Sequence, residues 1–328
     1  MKGMMFVSNE HEAEIVRGIV TKRKLDLVCR VGTLDQLSVK EMDDFDAVIG
    51  YYPKIDRAML KAFAEHGIKY YITRSTGYNH VDLQAASEYG IHVANVRAYS
   101  PNAIAELALA LVMALNRNLA GFSLEIQNQR FIRPVKLFKE IRDCTVGILG
   151  TGSIGVVSAG YYAALGARVI GYDKFPNPAL DGILQYRTLS EVIEASDILL
   201  IHMPYIQNET HHIINREALE QAKPQLIIVN TARGELVNLA DINMMIEEER
   251  LGGYGADVFE HEEDYIGKDP KEVTDPAIKK ALALYPRIIL TPHVGASTER
   301  ALVSMIEIAI EDFAEYAATQ TCRNEVIG

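Results

Sequence analysis

The sequence predicts an α/β chain built from two doubly wound parallel sheets, and three observations carry that reading. Short, almost wholly apolar runs recur along nearly the full length, at residues 4–8, 25–30, 47–51, 70–74 and 92–96, then at 145–149, 168–172, 198–202, 226–230, 255–258 and 288–291. Amphipathic segments such as 56–66 and 83–89 lie between them. The series breaks once, after Val96, and then begins again. Continuous apolar strands separated by helices belong to parallel sheets covered on both faces, which is the doubly wound class. A chain of 328 residues fits about two domains at ~100–200 residues each.

The first five runs form one strand series. Beyond them Ser100 is placed to cap a helix, and Pro101 stands at its first position, where a missing N–H costs nothing. The helical pattern reaches about Asn118, and a polar stretch at 123–143 separates it from the second strand series. The domain boundary falls near 96–99. Residues 299–319 form one long helical pattern with no strand behind it, free to return to the first domain.

Hydrophobic residues make up 48% and charged residues 23% of the chain, near the globular average, which excludes disordered, collagen-like and low-complexity classes. Lys and Arg number 33 against 44 Asp and Glu, a net charge of -11. With no basic block, nucleic acid is excluded as a partner, and an anionic ligand must be held by a local site. The three cysteines, Cys29, Cys144 and Cys322, are far apart and form no CxxC pair, the pattern of reduced thiols in a cytoplasmic protein. The first residues lack a signal-peptide apolar region. The most apolar stretch, 103–115, contains Glu106 and is shorter than the ~20 residues that span a bilayer. A cytoplasmic protein with no membrane partner is expected. His211 and His212 are adjacent, but no carboxylate or cysteine pattern surrounds them in the sequence, so no metal is expected.

The strand run 145–149 leads into Gly150-Thr151-Gly152-Ser153-Ile154-Gly155, then a helical pattern, then the run 168–172, which Asp173 closes. The first glycine permits the tight turn, the second lets a pyrophosphate approach the backbone, and the third lets helix and strand pack closely. The helix N-terminus supplies free N–H groups and partial positive charge. Gly-rich turns without a ligand are common. The strand–loop–helix context and the acid 23 residues after Gly150 are what dinucleotide binding demands. Asp173 should accept hydrogen bonds from ribose hydroxyls and repel a 2′-phosphate, which predicts NAD over NADP. Lys174 beside it would soften that preference.

A nicotinamide enzyme acting on a small acid also needs a cation for the carboxylate and a proton donor beside the reacting oxygen, with a partner for that donor. In an open parallel sheet these lie past the C-terminal ends of strands. Arg233 follows the run 226–230 within Asn230-Thr231-Ala232-Arg233-Gly234, where a guanidinium can fork onto a carboxylate. His293 follows 288–291 within Thr291-Pro292-His293. Asp257 runs into Glu260-His261-Glu262-Glu263-Asp264, where one carboxylate can pair with His293 and keep a proton available near neutral pH. Most of these acids, and His261, are better read as a solvated loop.

Taken together, the chain resembles the D-isomer-specific 2-hydroxyacid dehydrogenases over essentially its whole length. The markers are Arg74-Ser75-Thr76-Gly77-Tyr78-Asn79, Tyr99-Ser100-Pro101-Asn102-Ala103-Ile104-Ala105-Glu106, the Gly150–Gly155 loop, Asn230–Gly234, Asp257-Val258-Phe259-Glu260 and Thr291-Pro292-His293. The resemblance implies an NAD-binding Rossmann domain at 99–293 inserted into a flavodoxin-like substrate domain at 1–98 and 294–328. It implies NADH-dependent, reversible reduction of a small 2-oxo acid to the D-2-hydroxy acid. Arg233 would bind the substrate carboxylate, His293 would donate the proton, and Glu262 would pair with His293. Backbone amides at Thr76 and Gly77 would hold the carboxylate, with Tyr51, Tyr99 and Ala296 lining the substrate. Cofactor contacts would come from Gly150, Gly152, Ser153, Ile154, Gly155, Asp173, Met203, Pro204, Thr231, Ala232, Arg233, Asp257 and His293. A homodimer is implied, with the helix after Ser100 at the contact.

The long segment 264–286 resembles the D-lactate and D-2-hydroxyisocaproate branch. The chain departs from that branch at Ala296, three positions beyond His293, where lactate-type enzymes tend to carry an aromatic residue. Ala296 looks more like a phosphoglycerate or glyoxylate enzyme and would leave a larger pocket, a difference that shifts preference by only about 1–3 kcal/mol per methylene. Another class to weigh is a non-enzymatic NAD(H) sensor, which has no need of Arg233, Glu262 and His293 together.

Overall fold

The computed structural model describes residues 1–34, 39–50, 54–78, 80–97, 99–134, 137–267 and 273–326. The chain divides into two compact units, Met1–Ser100 with Thr298–Gly328, and Pro101–Ser297.

In the first unit, strands β1 (Gly3–Val7), β2 (Leu27–Val31), β3 (Ala47–Gly50), β4 (Tyr70–Thr73) and β5 (His92–Asn95) form one parallel sheet in the order β2-β1-β3-β4-β5. Their apolar residues alternate between two cores. Met4 and Phe6 join one with Val48, Leu60 and Tyr71, while Met5 and Val7 join the other with Ile49, Ile72 and Ala94. A strand buried on both faces needs no polar alternation, which is why these runs read as continuous. The helix Glu299–Thr319 returns to this unit and buries Ile306, Ile310 and Phe313 in the second core. A Glu12–Arg74 ion pair, both side chains buried, lies at 2.9 Å, and Arg74 also donates to the Phe6 carbonyl.

Asp312 sits on the buried face of that terminal helix and accepts from Asn324 Nδ2 at 2.9 Å. Burial pushes its carboxyl up to about 6, above the ordinary ~3.9. The folded chain therefore holds a proton between those values that the unfolded chain releases, and stability falls as pH rises through that window. Asp312→Asn should raise stability near neutral pH by on the order of 1–3 kcal/mol and flatten the slope. Urea unfolding across the window checks this, and an unchanged slope in the variant would contradict it.

In the second unit, strands β6 (Thr145–Leu149), β7 (Arg168–Tyr172), β8 (Gln185–Tyr186), β9 (Ile198–Ile201), β10 (Ile227–Asn230), β11 (Gly253–Ala256) and β12 (Ile288–Leu290) form a parallel sheet in the order β12-β11-β10-β9-β6-β7-β8. Ile198 and Leu200 face one core, Leu199 and Ile201 the other. The winding reverses between β6 and β9, and in open sheets ligands bind beyond the strand ends at such a point.

Two expectations need correction. Strand β11 begins at Gly253 rather than 255 and ends before Asp257, because Gly253 and Gly255 leave room for Leu111 and Leu115 on its face. The helix Pro101–Asn116 stops earlier than Asn118, whose φ of +47° breaks it. A second helix, Leu119–Gln127, then occupies the start of the supposed polar stretch. The compact units break at Ser100/Pro101 and Ser297/Thr298. Asp257 ties residues 291–295 to the second unit, as described below. No single helix among the described residues is long and apolar enough to cross a membrane, although the bent pair Pro101–Asn116 and Leu119–Gln127 passes by length and composition. The first of these buries Ala108, Leu111 and Val112 in the unit's core.

Candidate active site

The loops after β6 and β9 meet at the reversal of the second sheet. Gly150 has φ +93°, and a Cβ there would lie 2.5 Å from the Met203 nitrogen and 2.6 Å from the His202 carbonyl carbon. Gly155, on the helix Ser153–Ala164, would bring a Cβ within 2.2 Å of the Gly150 carbonyl oxygen. Gly152, the N-cap residue, would meet nothing within 4 Å. Two glycines are thus needed by the protein itself. The third leaves open space in front of a helix N-terminus, the cradle a pyrophosphate requires. Ser153 is exposed and Ile154 half-buried beside it.

This predicts opposite outcomes for two similar variants. Gly152→Ala should cost at most about 1 kcal/mol of stability yet weaken NADH binding. Gly155→Ala should destabilise by roughly 1–3 kcal/mol through overpacking. Thermal melts alongside NADH fluorescence titration check both, and a Gly152→Ala variant binding NADH normally would contradict the cradle.

Asp173 follows β7. Its Oδ2 accepts from the Thr151 amide at 2.7 Å and hydroxyl at 3.1 Å, and its Oδ1 from the Phe175 amide at 2.9 Å. Tyr186 donates its hydroxyl to Thr151 Oγ1 at 2.8 Å, so the two-residue strand β8 braces the acid through the glycine loop. Neither the strand nor the brace was visible in the sequence. Lys174 is ion-paired with Glu209, which tempers the cation expected to compete at Asp173.

β10 ends on Asn230, which is fully buried. Its side chain accepts from the Ala232 amide at 3.0 Å and donates to the Arg233 carbonyl at 2.8 Å, clasping the turn that carries Thr231, Ala232 and Arg233. A Cβ on Gly234 would lie 2.2 Å from the Phe259 carbonyl carbon, so this turn and the one after β11 pack backbone to backbone. The half-buried Arg233 guanidinium donates to the Ala232 carbonyl at 2.6 Å. Among the described residues no carboxylate pairs with it. A guanidinium so held is a site for an anionic ligand.

His293 lies past β12 with φ +54°. Its Nδ1 is 2.5 Å from Glu262 Oε1, and Glu262 Oε2 accepts from the Phe259 amide at 3.3 Å. The pair is partly open, with side-chain exposures of 40% and 20%. Asp257, expected as a cofactor contact, also braces the loop after β12. It is buried and accepts from the Thr291 hydroxyl at 2.5 Å, the Val294 amide at 2.8 Å and the Gly295 amide at 2.7 Å. It holds the His293 loop in shape. Ala296 is half-buried just beyond.

His202, the residue after β9, bridges two parts of the site. Its Nε2 lies 2.9 Å from Ser158 Oγ and its Nδ1 3.4 Å from Thr231 Oγ1. Desolvation pushes it down to about 4, so it is a neutral imidazole at physiological pH. Met203 is buried and Pro204 exposed in the turn behind it.

In the first unit, Thr76 donates its hydroxyl to the Val96 carbonyl at 3.0 Å, and its own carbonyl accepts from Asn95 Nδ2 at 2.6 Å. The Gly77 carbonyl accepts from Ser75 Oγ at 2.6 Å. These bonds fix the loop after β4. Among the described residues no acceptor meets the Thr76 and Gly77 amides. Tyr99 packs against the core that contains the terminal helix. Tyr51 lies outside the described residues.

The fold also overturns one reading of the histidine pair. No carboxylate accompanies His211 and His212 in sequence, but Glu260 of the β11 loop reaches them, with Oε1 3.0 Å from His212 Nε2. That contact joins residues far apart in the chain, so no local pattern could announce it.

The model of the D-isomer-specific 2-hydroxyacid dehydrogenase NAD-binding domain matches residues 109–295. A D-lactate dehydrogenase of Streptococcus agalactiae is 31% identical over 331 residues, covering 99% of this chain and 100% of the relative. An aromatic 2-oxoacid reductase of Clostridium sporogenes is 31% identical over 272 residues, 82% of each chain. Among solved structures, the D-lactate dehydrogenase from Lactobacillus jensenii with NAD+ matches with a TM-score of 0.88 at 31% identity over 100% of both chains.

Proposed function

The chain belongs to the D-isomer-specific 2-hydroxyacid dehydrogenase family and is an NAD-dependent oxidoreductase of the D-lactate dehydrogenase type, and from that premise we propose that Arg233, Glu262 and His293 carry its chemistry. The observation that supports this most is the His293–Glu262 contact on a turn braced by Asp257, in the same unit as Arg233, whose guanidinium meets no carboxylate among the described residues. The bound nicotinamide supplies or accepts the hydride. Arg233 binds the substrate carboxylate by a forked, charge-assisted contact and polarises the 2-oxo group. With Nδ1 directed at Glu262, His293 presents Nε2 to the substrate oxygen. It gives up that proton as the hydroxyl forms and retrieves it in the reverse direction. Glu262 holds the ring in orientation and compensates its charge. In the first unit, the Thr76 and Gly77 amides, which meet no acceptor among the described residues, support a carboxylate-binding role for that loop.

Gly152, Ser153 and Ile154 would hold the pyrophosphate at the helix N-terminus, with Asp173 at the ribose hydroxyls. Asp173→Asn should narrow the NADH-over-NADPH ratio in kcat/KM by about tenfold or more, since it removes the charge that repels a 2′-phosphate. Equal use of both cofactors by the unaltered enzyme would undo this role.

Ala296 in place of an aromatic side chain, and the similarity to an aromatic 2-oxoacid reductase, support acceptance of 2-oxo acids bulkier than pyruvate. NADH oxidation against pyruvate, 2-oxoisocaproate, phenylpyruvate, glyoxylate and 3-phosphohydroxypyruvate tests the substrate class. The first three should be reduced fastest. Exclusive turnover of 3-phosphohydroxypyruvate would contradict the assignment. A homodimer is supported by the exposed apolar side chains Leu119, Ile126, Phe131, Ile132 and Leu137, a density that marks association surfaces. A cytoplasmic location is supported by three unpaired cysteines.

A further inference from the structure

His211 and His212 follow β9, and Glu260 follows β11. One imidazole nitrogen from either histidine and one Glu260 oxygen all lie within 4.8 Å of one another. The His212 Nε2–Glu260 Oε1 separation is 3.0 Å. The two rings stack with centroids 4.0 Å apart, and the Tyr205 hydroxyl is 3.5 Å from His211 Nδ1. A tetrahedral zinc ion with bonds of about 2.0–2.1 Å spaces its ligand atoms about 3.3–3.4 Å apart. The His212–Glu260 edge is already close to that length. The exposed His211 already offers a nitrogen within 4.8 Å of the His212 and Glu260 ligand atoms. Two imidazoles and one carboxylate form a donor set suited to zinc, copper or nickel rather than to magnesium or calcium.

The cluster is tied to both turns of the proposed active site. The His212 amide donates to the Glu235 carbonyl at 2.8 Å, two residues beyond Arg233. A Cβ on Gly234 would lie 2.3 Å from the Glu260 nitrogen, and Phe259 donates its amide to Glu262. An ion drawing His211, His212 and Glu260 together would therefore pull on the segment that positions Glu262 and on the turn that carries Arg233.

We propose that His211, His212 and Glu260 form a binding site for one divalent ion of the zinc class, and that its occupancy slows turnover. The coupling to turnover rests on the active-site assignment above, whereas the binding does not. The test is competition for Zn²⁺ between the purified full chain and a chromophoric chelator, for the parent, His211→Ala, Glu260→Gln and Cys322→Ser. The last is included because Asp312, Glu315 and Cys322 make a second possible ligand cluster. One zinc ion per chain is expected, with affinity reduced at least about tenfold in His211→Ala and Glu260→Gln and unchanged in Cys322→Ser. No binding, or binding that survives His211→Ala and is lost in Cys322→Ser, would overturn the site. NADH oxidation measured in parallel should slow as zinc binds the parent, recover on chelation, and be indifferent to zinc in His211→Ala. Stoichiometric zinc at this site with unchanged turnover would overturn the coupling.

Discussion

His293→Ala should lower kcat for 2-oxo acid reduction by about 10²–10⁴-fold, the range a positioned general acid contributes, while leaving NADH affinity nearly unchanged. The expectation follows from geometry. The imidazole is set on a left-handed backbone residue, with Nδ1 committed to Glu262 at 2.5 Å and no partner for Nε2 among the described residues. Asp257 fixes the following residues through two amides and a hydroxyl. Removing the ring takes away the proton source without disturbing that brace. Steady-state kinetics with NADH titration by fluorescence separates the two effects. Near-normal turnover in the variant would remove His293 from the mechanism.

Arg233→Gln should cost roughly 2–5 kcal/mol in kcat/KM for the 2-oxo acid, about 30- to 5,000-fold, with most of the loss in KM if the contact is equal in ground and transition states. Arg233→Lys should recover only part of it, because an ammonium keeps the charge but loses the planar fork. Stability should change little. The guanidinium's one internal hydrogen bond among the described residues is to the neighbouring Ala232 carbonyl, and the turn itself is held by Asn230. A melting temperature that falls as steeply as activity would mean that Arg233 is structural.

Much of this was legible in the sequence because it depends on local pattern. Strand runs such as 198–201 are apolar on both faces and can only be central strands. Glycines 150, 152 and 155 stand at the spacing a strand–turn–helix phosphate loop requires. Gly150 and Gly155 are required by close backbone contacts, whereas Gly152 leaves open space at the helix N-terminus. The turn chemistry around Arg233 was also partly visible, since Asn230 interrupts an otherwise apolar strand at its last position. What escaped was non-local or marginal. The two-residue strand β8 is too short to have a period, yet its Tyr186 braces Thr151 and Asp173. The Glu260–His212 contact links segments brought together only by parallel pairing of β10 with its neighbours. The helix Leu119–Gln127 was hidden by polar residues around a left-handed Asn118. Asp257 is a strand-end acid whose oxygens turn inward to a loop, which the identity of the residue alone does not reveal.

The most direct test of the central claim is the handedness of the product. The purified full chain would be incubated with NADH and, separately, pyruvate and phenylpyruvate, and each hydroxy acid resolved by chiral chromatography against the NADH consumed. The account predicts the D enantiomer in one-to-one proportion with NADH oxidised. The L enantiomer, a racemate, or tight NADH binding with no hydroxy acid formed would contradict it.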